Sequence, residues 1–366
     1  MTSSLAGIRL EEILSSEDPD LKVAALRECA SSGKLGAPDR VFDCLTDRDV
    51  LVRGAAADAL AAAGEQAAPL LGKVAMLLVS GDAGAKCAAA EVLGALATTV
   101  VHASALAALL EDSGEDTSAA AVAGCPCGAS RPKAERRLPR AAAAEALAKI
   151  GDVGTAFAAA VAGLLEDSVP EVRCAAAASL GMMGAAGAAF ESELLKRLSS
   201  EQDHRVLASG ALSLAEMSKA KERPSQAAAE VVVRLLSHQH PGVRAGAARA
   251  LGSLGEGAIP HVAKLLKCFG DRSPQVKIAA MEAIVALGPA GQVYAADVAR
   301  VAFDGWQLPV ARAAALDVLP RLGERGAAFA YEVEELISDP EEEVRNAASR
   351  ALSVFSGEAG RSYDWS

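Results

Sequence analysis

Residues 243–256, VRAGAARALGSLGE, set out a pattern that returns roughly every 33 residues along the chain, and no other property narrows the possible folds so far. With Val243 at position zero, a basic residue follows at plus one, small residues fill the next turns, leucines stand at plus eight and plus eleven, and a glycine stands at plus twelve. Val243, Ala247, Ala250, Leu251 and Leu254 lie three or four apart, so they share one face of a helix. Gly255 can adopt the left-handed conformation that ends such a helix.

The same register recurs with anchors at Leu21, Val52, Ala85, Pro139, Val172, Val206, Val276, Ala311 and Val344. Glycine holds plus twelve at Gly33, Gly64, Gly151, Gly184, Gly255, Gly288 and Gly323. A basic residue holds plus one at Lys22, Arg53, Lys86, Arg140, Arg173, Arg244, Lys277, Arg312 and Arg345; the sixth copy has Leu207 instead. Each anchor segment is preceded by a second apolar segment and a turn rich in Asp or Pro. The pattern therefore predicts an all-α solenoid of about ten helix pairs over residues 1–355, followed by a tail at 356–366. Pro320, inside the last turn of the ninth anchor helix, should end or kink it early. Ala97 replaces the stop glycine of the third copy and predicts a weak end.

Anchor spacings run from 31 to 37 residues except between Ala85 and Pro139, where the interval is 54. The excess falls at about residues 112–137, a stretch that opens acidic, carries Cys125 and Cys127 at its centre, and closes with Arg131, Lys133, Arg136 and Arg137. Its Gly, Ser, Pro and mixed charges offer no apolar face to bury, which predicts an irregular excursion at the edge of the array.

Apolar residues make up 51% of the chain and aromatics only 3%, so the interior must be built from Ala, Leu and Val at short helix spacings. The net charge of -11 argues against sequence-independent binding to nucleic acid, for which a basic surface supplies most of the affinity. No uninterrupted apolar run approaches the roughly 18 residues that span a bilayer, and the N-terminal residues do not read as a secretory signal. A soluble, intracellular protein, cytoplasmic by default, is the expectation. Seven cysteines in so long a chain read as small buried apolar residues rather than as a disulfide framework.

Two helices per unit, an Asp or Pro turn, Val-Arg opening the second helix and Leu-x-x-Leu-Gly closing it resemble HEAT repeats. The short Ala-rich form, AAxALGxLG, is similar to the HEAT-like repeats of phycobilisome lyases. The resemblance covers nearly the whole chain and implies that the second helices line the concave surface. HEAT-like deoxyhypusine hydroxylases hold iron with His-Glu pairs. None occurs here, because His102, His204, His238, His240 and His261 are followed by Ala103, Arg205, Gln239, Pro241 and Val262. No metal and no other cofactor is expected.

The turn aspartates Asp47, Asp82, Asp167, Asp203, Asp271 and Asp339 read as caps of the helices that follow them, and each basic residue at plus one can bridge to a turn acid of its own or the adjacent unit. His238 and His240 read as polar turn surface. Cys125 and Cys127 supply half of the four ligands a structural zinc usually takes, with no further CxxC or His nearby. Position plus six points away from the buried stripe and is Asp58, Glu91 and Glu145 in copies two to four, an acidic row suited to a basic segment of a partner. No phosphate loop, nucleophile elbow or HExxH motif is present. The chain therefore reads as a non-catalytic protein-interaction scaffold or assembly subunit. Its partner surface would be Asp58, Glu91 and Glu145, or the insertion with Cys125, Cys127, Arg131 and Lys133. The alternative, a phycobilin chromophore lyase-like protein or chaperone, is implied only by the repeat subtype.

Overall fold

The computed structural model describes residues 10–96, 99–114, 138–220 and 225–359. Helices make up the regular structure of these residues, with no strand among them. Two compact units divide the chain, Met1–Phe190 and Glu191–Ser366.

Each anchor segment forms one helix, as its 3.6-residue periodicity requires. In the first unit these second helices are α1 (Pro19–Ser32), α2 (Val50–Ala63), α3 (Ala83–Leu96), α4 (Pro139–Lys149) and α5 (Pro170–Met182). In the second they are α6 (His204–Lys219), α7 (Pro241–Ser253), α8 (Pro274–Ala286), α9 (Pro309–Val318) and α10 (Glu342–Ala359). Within each unit consecutive second helices pack directly on one another, and from α2 onward each also packs on the leading helix of its own repeat. The result is a two-layer stack of helix pairs with its core between the layers.

The buried stripe is the one the spacing requires. Val52, Leu60, Val172, Leu180, Val243, Leu251, Val276 and Ile284 are all fully buried. Leu21 departs from the pattern at 53% exposed. Small residues let the second helices approach closely. A Cβ on Gly94 of α3 would come within 2.8 Å of the Ala146 Cα on α4, and one on Gly252 of α7 within 2.6 Å of the Ala283 Cα on α8.

All seven glycines at plus twelve have positive φ, between 55° and 77°, and no other described residue does. Three residues beyond five of them lies a second glycine that the repeat pattern above does not include; at the first of these, Gly36, a Cβ would meet the Leu10 side chain at 3.0 Å, and the other four are tighter. Cβ atoms on Gly154, Gly187, Gly291 and Gly326 would fall within 1.9 Å of the carbonyl oxygens of Leu147, Leu180, Ile284 and Leu319. There the chain folds back so tightly onto its own helix that a side chain has no room. A short α-helix of four or five residues carries each of these four glycines. Repeats two and seven carry Ala67 and Ala258 at this position, and their chain leaves instead through the 3-10 helices Gly64–Leu70 and Gly255–His261. Pro320 ends α9 at Val318 and passes the chain into the 3-10 turn Leu319–Leu322, as expected from its missing donor and its ring.

Among the described cysteines, Cys29, Cys44, Cys87 and Cys268 are buried and unbridged, and Cys174 is half-buried. Burial pushes the Cys44 and Cys268 thiols up to about 11, so these are packing residues rather than nucleophiles. Among the described residues no helix is long and apolar enough to cross a membrane.

Candidate interaction surface and the charge ladder

The turn before each second helix sets the chemistry of one edge of the stack. In repeat two, Asp47 accepts the Asp49 amide at 2.8 Å, and Asp49 in turn caps α2 by accepting the Leu51 amide at 2.7 Å. The same two-residue bond recurs from Val169 to Asp167, from Ser273 to Asp271 and from Glu341 to Asp339. Of the six turn aspartates expected as caps, Asp82 and Asp203 bond amides inside their own helices, Ala85 and Arg205. The expectation that every turn aspartate caps a helix is therefore corrected: most lie too far ahead of the first turn to reach it and close the turn instead.

Their second oxygen is what the preceding repeat uses. Lys22 pairs with Asp47 at 2.7 Å, Lys86 with Asp112 at 2.6 Å, Arg140 with Asp167 at 2.9 Å, Arg244 with Asp271 at 2.7 Å and Arg312 with Asp339 at 2.6 Å. Several arginines at this position also tie down the turn of their own repeat. Arg53 donates to the Asp47 and Arg48 carbonyls, Arg173 to those of Asp167 and Ser168, Arg244 to those of His238 and Gln239, and Arg345 to those of Asp339 and Pro340. Gly84 leaves room for the Arg53 guanidinium, since a Cβ there would meet it at 2.6 Å. In repeat nine glutamine stands in: Lys277 donates to Gln307, whose amide nitrogen donates to Asp304 at 2.9 Å.

Electrostatics follow this connectivity. The Arg244 hydrogen bond holds Asp271 below the usual carboxylate range against the opposing effect of burial. For Asp112 and Asp339 burial is the largest effect and opposes ionisation, but the hydrogen bonds from Lys86 and Gly114, and from Arg312 and Glu341, overcome it and lower both. Asp203, bonded by its neighbour Arg205, is lowered to about 2.

Asp112 belongs to this ladder although it sits where the insertion begins. It accepts the Gly114 amide at 2.7 Å like any other turn acid, and Arg140 donates to its carbonyl at 2.7 Å across 28 residues, where Arg53 spans 6 to Asp47. Residues 115–137, with Cys125, Cys127, Arg131 and Lys133, lie outside the described residues, as does Ala97.

The plus-six side chains stand on the opposite side of the second helices from the core. Asp58 and Glu145 are exposed and Glu91 is half-buried on α2, α4 and α3. In the second unit the equivalent acids are joined to neighbouring repeats: Asp317 to Arg350 at 2.8 Å, and Glu282 to Arg321 at 2.7 Å. The three acids of the first unit thus lie on consecutive packed helices, as the periodicity predicts. Among the described residues no group of three or more His, Cys, Asp or Glu is arranged to hold a metal ion.

Comparison with known proteins bears on this arrangement. Residues 9–75 and 191–285 match HEAT repeats, and residues 159–186 match a further HEAT repeat. No curated protein sequence matches the chain. Among solved structures, yeast importin-β (Kap95p) superposes with a TM-score of 0.66 at 11% identity, over 97% of this chain and 52% of that one. Kap121p bound to Pho4p gives 0.52 at 14% identity, over 94% and 41%. The CpcE–CpcF complex of phycocyanin lyase from Nostoc gives 0.44 at 20% identity, over 78% and 94%. The chain spans about half the length of the importin-β it matches. At these identities the similarity is one of fold.

Proposed function

The chain belongs to the HEAT-repeat family, and from that premise we propose that it is a non-catalytic scaffold that binds a protein partner through the exposed face of its second helices. The observation that carries this reading is where the perturbed charges go. Asp112, Asp271 and Asp339 are engaged in closing turns and joining repeats, and Asp203 in capping its own helix, which makes them structural groups rather than catalytic ones. What the stack presents outward is a repeated surface, and proteins of the same fold occur as complexes, as Kap121p does with Pho4p.

Within that reading the partner carries a basic segment, and Asp58, Glu91 and Glu145 of α2–α4 receive it. Consecutive helices in such a stack lie roughly 10 Å apart, so three carboxylates one per helix match a lysine- or arginine-rich stretch lying across them. Electrostatic complementarity of this kind acts mostly on association rate and specificity. The test is the variant with Asp58→Lys, Glu91→Lys and Glu145→Lys. Surface charges and their pairs contribute little to stability, so the fold survives, while affinity for the native partner falls at least tenfold and loses its salt dependence. Unchanged affinity and unchanged salt dependence would remove the row from the interface.

A further inference from the structure

One junction, between repeats six and seven, departs from the ladder on both sides. Leu207, 3% exposed, stands where the other repeats have lysine or arginine. The residue that should receive its charge, five before the Val243 anchor where Asp47, Asp167, Asp271 and Asp339 precede theirs, is His238. His238 nevertheless performs half of the aspartate's task. Its Nδ1 accepts the His240 amide at 3.1 Å, the bond that Asp47 accepts from Asp49. His240 then caps α7 as Asp49 caps α2, its Nδ1 accepting the Gly242 amide at 3.2 Å. Gly242 leaves the imidazole room to do so, since a Cβ there would sit 3.1 Å from that nitrogen.

Two imidazoles thus occupy the acceptor positions filled elsewhere by two carboxylates, and the substitution changes what acid does to the turn. A carboxylate keeps its acceptor oxygens at any pH above about 4, whereas an imidazole accepts at Nδ1 only while that nitrogen is unprotonated, and imidazoles titrate near pH 6.5. The surroundings add to this. The His204 ring, on the first turn of α6, lies 4.0 Å from the His240 ring. Arg244 reaches back to the His238 and Gln239 carbonyls, Arg234 of the leading helix lines the same cleft as His238, and Arg205 follows His204, paired to Asp203. Of the acids on the packed elements, Asp203 is paired with Arg205, Glu201 with Arg197, and Asp271 of the next turn with Arg244.

We propose that this junction is an acid-sensitive joint: protonation of His238 and His240 at Nδ1 releases the amides of His240 and Gly242 and frees the first turn of α7 from its cap. The lowered pKa of His240, caused first by burial and then by the charges of His204, His238 and Arg244, agrees in direction. A histidine depressed in the folded state stabilises it fully above its ordinary value near 6.5, and that contribution is lost as pH falls from there through the folded value. The joint is therefore closed at neutral pH and loosens on mild acidification, before the ladder carboxylates titrate.

The direct test is imidazole 15N NMR of the full chain between about pH 8 and pH 5.5, with amide protection factors measured over the same range. His238 and His240 should both be in the Nε2–H tautomer at pH 8. On acidification the His240 and Gly242 amides should lose protection at least tenfold more than Asp49 and Leu51, whose acceptors in repeat two are carboxylates. An Nδ1–H tautomer at either histidine, or parallel loss at both turns, overturns the proposal. A second measurement uses Leu207→Arg with His238→Asp, which restores the residues other repeats carry, together with His240→Asn, which retains a non-titrating cap. The fall in Tm of the parent chain between pH 7.5 and 5.5 should shrink by more than half in this variant; an undiminished fall would also overturn it.

Discussion

The Arg312–Asp339 pair shows what a single residue contributes to this stack. Both side chains are less than a tenth exposed, the guanidinium makes two bonds to the carboxylate, and its Nε donates to the Ala302 carbonyl at 3.1 Å. Removing one member of such a pair leaves a buried charge without its counter-ion, which typically costs about 3 kcal/mol or more, whereas replacing both by apolar residues can be nearly neutral. Asp339→Asn should therefore lower unfolding free energy by about 3 kcal/mol in urea titration. The exposed pair Arg350–Asp317, half open to solvent, should yield less than 1 kcal/mol when Asp317 is replaced by Asn. Equal losses at the two sites would mean that burial does not govern the ladder's contribution.

At the scale of the helix, spacing is set by glycine and alanine. Where α7 crosses α8, the Gly252 position faces the Ala283 backbone rather than a flexible side chain, so added volume can be accommodated only by moving a helix. Gly252→Val should destabilise by about 1–3 kcal/mol, the usual cost of overpacking a close contact. Gly163, whose Cβ would meet nothing within 4 Å, should tolerate alanine without loss. Thermal unfolding followed by circular dichroism distinguishes the two, and equal midpoints for both variants would show that the helices are not in the close contact described.

For the molecule as a whole, the ladder explains how a long insertion can enter the array without interrupting it. Lys86, Asp112, Arg140 and Asp167 form the same succession of bonds that elsewhere joins repeats with no insertion. Deleting residues 116–137 brings Arg140 to within six residues of Asp112, the interval between Asp47 and Arg53. The shortened chain should keep its helical circular dichroism and unfold within about 3 °C of the parent, a shift equivalent to about 1 kcal/mol or less in a domain of this size. Loss of helicity or a split transition would show that the inserted residues are part of the fold. Binding assays on the same deletion report whether they take part in recognition.

Amino-acid order alone determined the number of repeats, the start and stop of their second helices and the identity of the buried stripe, because these depend on contacts within about four residues. Gly33 to Gly323 end helices by local backbone conformation, and Leu60, Leu180 and Leu251 are buried by helical periodicity, so both are legible from spacing. The row of Asp58, Glu91 and Glu145 was legible for the same reason. What only the tertiary structure decided is which groups meet across repeats. Lys22 and Asp47 lie 25 residues apart and Arg312 and Asp339 lie 27 apart, and only the stacking of one repeat on the next makes turn acids into partners of the preceding helix rather than caps of the following one. The tight corners at Gly154, Gly187, Gly291 and Gly326, and the paired change of Leu207 and His238, acquire meaning by the same route: each answers to a neighbour that the fold, not the chain, places beside it.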